Sequence, residues 1–160
     1  AFAEKGLGVS KTVGDLMGPC LFAVFMGTAR AIYGNFSEKF PLRITMACSA
    51  ILCIGCYLLA ALADLPLLGL IGCAICGFSV GIFWPGTFSV AALKLPTGGT
   101  AMYALLALAG DLGCSSGPTT VGMVANAAGG DLKAGLLVAL VFPIVMLIGL
   151  MLLKDEKKAK

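Results

Sequence analysis

Long apolar stretches alternate with short polar breaks along the whole chain, and the basic residues collect at alternate breaks. Hydrophobic residues make up 59% and charged residues 12% of the 160 positions, with a mean hydropathy of +1.02. A water-soluble domain of this size has too little interior to bury so much apolar surface. A bilayer acts as the solvent for that surface instead. The fold class expected is therefore all-α and integral to the membrane, with about five spans at about 20 residues each. Helices are expected because hydrocarbon offers no partner for bare backbone N–H and C=O groups. The alternating segments of about ten residues that mark a β-barrel are missing from the sequence.

The spans read as about 12–34, 44–63, 67–93, 100–126 and 134–153, forming one transmembrane bundle over 12–153. Asp64 and Pro66 mark one turn, Lys94, Pro96 and Gly98-Gly99 a second, and Gly129-Gly130-Asp131 a third. The third span is expected to break at Trp84-Pro85-Gly86, since a proline inside a span implies a kink. Arg30, Lys39, Arg43, Lys94, Lys154, Lys157, Lys158 and Lys160 fall on one side, and Lys5, Lys11 and Lys133 on the other. The positive-inside rule makes the first group cytoplasmic. Residues 1–11 then form an external segment and 154–160 a cytoplasmic tail. The first fifteen residues have no apolar core that would make a signal peptide. The chain opens on Ala1, and an odd number of spans with an external start is expected of a fragment whose preceding spans lie elsewhere.

Composition removes several function classes. There is no histidine, which excludes His-based acid–base, triad and metal chemistry. A net charge of +3, scattered along the chain, makes no nucleic-acid surface. No P-loop, HExxH or GxSxG motif occurs. Cys53-x-x-Cys56 and Cys73-x-x-Cys76 have the spacing of a four-cysteine zinc site. Zinc needs thiolates, and an apolar helix pair disfavours them. Small apolar packing residues are the reading adopted for these cysteines. Neither a metal nor a cofactor is expected.

Several constellations could carry function. Asp111 lies roughly 17 Å along the fourth span, near mid-bilayer. A carboxylate there is costly unless it is paired, hydrated or protonated. It reads either as a proton or cation relay or substrate contact, or as a protonated group bonding a neighbouring helix. Arg30 sits near the end of the first span, where it could snorkel to the interface or serve in a salt bridge or as a gate contact. Gly113-x-x-x-Gly117 permits close helix approach. Pro118 permits a bend there, with Ser115 and Ser116 placed to satisfy freed carbonyls. These residues read as tight packing or as a packed hinge. Gly77-x-x-x-Gly81 precedes Ile82-Phe83-Trp84-Pro85-Gly86-Thr87, where an aromatic, a hydroxyl and bent backbone suit a ligand pocket as well as a kinked packing helix.

Three of these stretches together resemble the major facilitator superfamily of transporters. Gly27-Thr28-Ala29-Arg30-Ala31-Ile32-Tyr33-Gly34-Asn35-Phe36-Ser37-Glu38-Lys39 resembles the degenerate second-half copy of that family's loop motif. Its two glycines match the motif's spacing, Ala31 stands where the motif has Asp, and Lys39 is a displaced basic residue. Gly113-Cys114-Ser115-Ser116-Gly117-Pro118 is similar to the family's Gly-x-x-x-Gly-Pro bend, and Gly81 to Gly86 to a tenth helix of bacterial members. This register implies the end of helix seven, within residues 1–11, followed by helices eight to twelve: most of the C-terminal six-helix bundle. The resemblance implies a substrate cavity between two bundles, with Ser79, Phe83, Trp84 and Thr87 as cavity residues. It implies Asp111 as a coupling or seam residue, Gly27, Arg30, Gly34 and Lys39 as a gating loop, and Gly113, Gly117 and Pro118 as helix bend and packing.

The function implied is a fragment of a secondary active transporter, symporter or antiporter, in the plasma membrane with its C-terminus cytoplasmic. It would move a small solute by alternating access, coupled to an ion gradient, most often protons. Its partners would be that solute, membrane lipid and the N-terminal helical bundle of the same transporter, with no nucleic acid. The rival readings are a non-catalytic multi-pass membrane subunit and an integral-membrane enzyme. The enzyme would need a cluster of titrating residues, where the sequence offers only isolated acids.

Overall fold

The computed structural model describes Ser10 and residues 16–36, 41–63 and 65–153. Among the described residues every regular element is a helix and none is a strand, so the chain has the all-α membrane fold expected from its composition. A π-helical turn, Leu16–Cys20, leads into α1, Leu21–Phe36. The rest are α2 (Leu42–Leu62), α3 (Pro66–Val80), α4 (Phe83–Lys94), α5 (Gly99–Ala127), α6 (Leu132–Ala139) and α7 (Val141–Leu152). Three helical stretches are long and apolar enough to cross a bilayer: Leu42–Leu62, Leu67–Lys94 and Leu132–Leu152. α5, at 29 residues, has the length, but Asp111, Ser115, Ser116, Thr119 and Thr120 dilute its apolar character. α1 has 16 residues and is too short to cross by itself. Residues 1–9, Lys39 and the tail 154–160 lie outside the described residues.

Prolines set the breaks. The kink in the third span falls at Gly81–Ile82, one turn before the expected Trp84-Pro85-Gly86. Pro85 has no N–H to offer the carbonyl four residues earlier, which is that of Gly81. The ladder resumes with the Gly86 N–H donating to Ile82 O at 2.8 Å. The fifth span breaks likewise at Leu140, between α6 and α7, four residues after which would come Ile144; Pro143, one residue earlier, leaves the Ala139 carbonyl without its usual donor. The reading of that span as continuous overlooked Pro143. Pro118 differs, because α5 runs through it without interruption.

α2 is the central helix, packed against α3, α4, α6 and α7. α1 lies on α3, and α5 lies chiefly on α6. Gly72 brings α3 onto α2: a Cβ there would stand 3.1 Å from Cys56 O and 3.3 Å from Ala60 N. Gly77 brings α3 onto α1, where a Cβ would collide with the backbone of Phe22. One turn on, Gly81 also meets α1, since a Cβ there would lie 2.9 Å from Met26 O. Small residues therefore make the interface, as they must where lipid removes any hydrophobic drive for helix association.

Basic side chains clamp α2 to the last span at both ends. Arg43, in the first turn of α2, donates from Nε to Leu150 O at 2.7 Å and from Nη2 to Met151 O at 3.1 Å. Those carbonyls belong to the last turn of α7 and take no helical bond from the described residues. At the far end Lys133 Nζ donates to Ala63 O, the C-cap of α2, at 3.2 Å. Cations at helix C-termini also meet the negative end of the helix dipole. The two clamps fix α2 and α6–α7 as antiparallel neighbours. Between α5 and α6 the chain turns on Gly129 (φ 72°) and Gly130 (φ 93°), left-handed values that favour glycine. Asp131 Oδ1 then caps α6 by accepting from Lys133 N at 2.9 Å.

Gly77→Ala should destabilise the bundle by about 1–3 kcal/mol, because the methyl meets rigid backbone. Gly55→Ala should be neutral or slightly stabilising, since nothing lies within 4 Å of its added Cβ. Thermal unfolding of both variants in the same detergent checks the contrast.

Candidate functional site

A cavity of about 470 Å³ lies between α2, α4, α5 and α7. The two proline breaks shape it. Val80, Phe83, Trp84 and Thr87 line it from the first break, and Phe142, Pro143 and Met146 from the second. Cys53 and Tyr57 of α2 form the base, and Leu106, Ala109 and Gly110 of α5 line another side. The lining is mainly apolar. The Thr87 hydroxyl donates to Phe83 O at 2.7 Å, which leaves its lone pairs as the feature it offers a ligand. Tyr57, Cys53 and Trp84, through its indole N–H, are the other lining residues with polar side-chain atoms. A mainly apolar concavity with few polar groups is the usual form of a small-molecule site.

Trp84 dominates one wall. Its ring lies against Gly110, where a Cβ would collide with the indole. Phe88 packs on the indole at a centroid distance of 4.7 Å and an angle of 57°, and Tyr103 stacks on Phe88 at 5.6 Å and 10°. This aromatic run bridges α4 and α5. The bare backbone at Gly110 is what lets the indole reach across.

Of the four cavity residues the family resemblance implied, Phe83, Trp84 and Thr87 do line this cavity, and Ser79 does not. Ser79 is fully buried, and its hydroxyl donates to Cys76 O at 2.7 Å within its own helix. In that geometry it satisfies itself locally and faces the α2–α3 packing. Asp111 follows Gly110, is exposed on α5, and is not part of the cavity lining. It stands about 18 Å along the helix from Gly99.

The glycines farther along α5 meet open space. Nothing lies within 4 Å of a Cβ placed on Gly113 or Gly122, and Gly117 meets only the ring edge of Phe142 at 4.0 Å. The close packing that Gly113-x-x-x-Gly117 permits is thus not made with the described residues. The Ser115 hydroxyl donates to Asp111 O at 3.0 Å, not to the Cys114 carbonyl that Pro118 frees. Thr119 and Thr120 likewise donate to Ser115 O at 2.7 Å and Ser116 O at 2.8 Å.

In the loop-motif region, space is open where a Cβ would stand on Gly27 or Gly34. Arg30 Nε donates to Gly81 O at 3.0 Å. Arg30 is therefore bonded across to the break between α3 and α4, and does more than reach toward an interface. The cysteine pairs do converge: Cys53 and Cys76 approach with their sulfurs 3.9 Å apart in a buried cluster with Cys56. Among the described residues no three potential ligands gather to hold a metal ion.

Sequence reasoning missed Tyr57, Cys53 and the α7 wall. Pro143, the one proline of the last span, could have shown the second break and hence the second wall.

The Trp84–Gly110 contact gives a direct test. Gly110→Val should push the indole off α5, shift the emission of this only tryptophan, and cost about 1–3 kcal/mol. Gly113→Val, where space is open, should leave that emission unchanged. Fluorescence spectra of the two purified variants decide.

The family model for the Major Facilitator Superfamily matches residues 1–160. No curated protein and no solved structure matches the chain. The all-helical membrane fold and the match over the whole length agree: this chain belongs to the major facilitator superfamily, a family of membrane transporters.

Proposed function

We propose that this chain is a helical bundle of a secondary active transporter that moves a small solute by alternating access, driven by an ion gradient, with protons as the coupling ion. The observation that carries this reading is the cavity between the two proline breaks, whose apolar walls and few polar atoms suit a small organic solute. No covalent chemistry is needed. Binding would be exchanged between the two sides by rocking this bundle against a second one.

The face of α5 that the described residues leave uncovered supports a role at the seam. Gly113, Gly117 and Gly122 leave a backbone surface that another helix could approach closely, and Asp111 stands on the same helix, exposed. We assign that face to the N-terminal bundle of the same transporter. Asp111 would then be enclosed between bundles, where it could take up and release a proton as access alternates. The cationic residues Arg30 and Arg43 share one end of the bundle, and Lys133 lies at the other. By the positive-inside rule the Arg43 end, and with it the C-terminus, would face the cytoplasm of a cell whose plasma membrane holds the protein.

Reconstituted alone in liposomes, the chain should catalyse no solute uptake, because half of the pathway is missing; robust uptake would overturn the two-bundle reading. In the two-bundle protein, Asp111→Asn should abolish substrate-driven proton flux. Retention of normal flux, read with a pH-sensitive dye inside the vesicles, would remove Asp111 from the coupling step.

A further inference from the structure

We propose that Arg30 is a positioning residue for the cavity: it holds the proline break between α3 and α4 in the one geometry that lays Trp84 on Gly110. Arg30 does not itself line the cavity.

Pro85 deprives the Gly81 carbonyl of its helical donor. A carbonyl left unsatisfied inside a membrane bundle is costly. The donor comes instead from another helix. Arg30 Nε reaches Gly81 O at 3.0 Å, and Nη2 of the same guanidinium lies 3.9 Å from Met26 Sδ. The bond is charge-assisted and therefore stronger than the neutral one the proline removed. The approach is possible because the break falls on a glycine. A Cβ on Gly81 would stand 2.9 Å from Met26 O and 3.0 Å from the Ala29 Cβ, so α1 rests directly on the kink.

The break sets the direction in which α4 leaves α3. Phe83, Trp84 and Thr87 occupy the first turns of α4 and make one cavity wall. Arg30 thus controls that wall from the opposite side of the kink. Without it the freed carbonyl must find another donor, and the angle between α3 and α4 relaxes toward whatever geometry supplies one. The indole then leaves Gly110. The functional weight of this arrangement rests on the reading of the cavity as a substrate site. The positioning itself does not, and it is read here without substrate.

The test uses the single tryptophan, labelled as 5-fluorotryptophan, and 19F spectra of the chain in detergent micelles. The wild-type chain should give one resonance. Arg30→Ala should shift or split it, with the displaced form gaining roughly tenfold in population relative to wild type. Arg30→Lys, which keeps a charged donor, should restore most of the wild-type signal. Pro85→Ala supplies the missing N–H to Gly81 O, so in that background Arg30→Ala should cause no further change. An unchanged resonance in Arg30→Ala, or the same change in both backgrounds, overturns the proposal. If Arg30→Ala alone does not fold, recovery of folding by Pro85→Ala supports it and failure in both backgrounds overturns it. Substrate binding to the two-bundle protein, measured separately, bears on the transport reading and leaves the positioning result intact.

Discussion

Backbone carbonyls without helical donors, in a medium that cannot hydrate them, organise this molecule. Every helix end and every proline creates such groups. At three such places a scarce cation supplies the donor. Arg43 serves the end of α7, Lys133 the end of α2, and Arg30 the carbonyl that Pro85 frees. Each of these side chains reaches another helix, so each satisfied carbonyl is also a tertiary link. Among the described residues these few charges supply side-chain hydrogen bonds that join one helix to another. The hydroxyls of Thr28, Thr45 and Ser89 instead donate to the carbonyl four residues earlier in their own segment.

Packing then follows from what the cations fix. With α2 clamped antiparallel to α6–α7, its buried face carries Met46, Ala50, Cys53, Cys56 and Ala60. Met46 meets Ile82 and Leu150 in a cluster near the Arg43 end, with Tyr33 of α1 packed against it. Toward the middle, the thiols of Cys53 and Cys76 are volume fillers between α2 and α3, beside Phe22 and Phe83. The cavity opens where this packing stops, between two kinks that bend their helices away from ideal contact.

Much of the fold was legible because hydrocarbon narrows the choices. The apolar runs and their polar breaks place α2, the α3–α4 span and the α6–α7 span, and the turn at Gly129-Gly130-Asp131 sits where its residues predict. The site was legible in part. Phe83, Trp84 and Thr87 were marked by an aromatic, a proline and a hydroxyl in one short stretch. Ser79 was misplaced, because neither composition nor family resemblance tells which face of a helix turns toward a cavity and which toward a neighbour. The displacement of the break from Pro85 to Gly81 follows from the four-residue reach of a helical hydrogen bond, and that reach is readable in any sequence. The partner of Arg30 was not readable, since 51 residues separate it from Gly81.

The attachment of α5 has a mechanical consequence. This helix is joined to α6 by a short glycine turn, lies along α6 through Gly135, whose absent Cβ would stand 2.7 Å from Val121 O, and meets α4 through the indole resting on Gly110 and the Tyr103–Phe88 stack. α5 is packed more extensively along α6 than against α4, so a displacement at the α4 edge would alter the width of the cavity while leaving the clamped α2 in place.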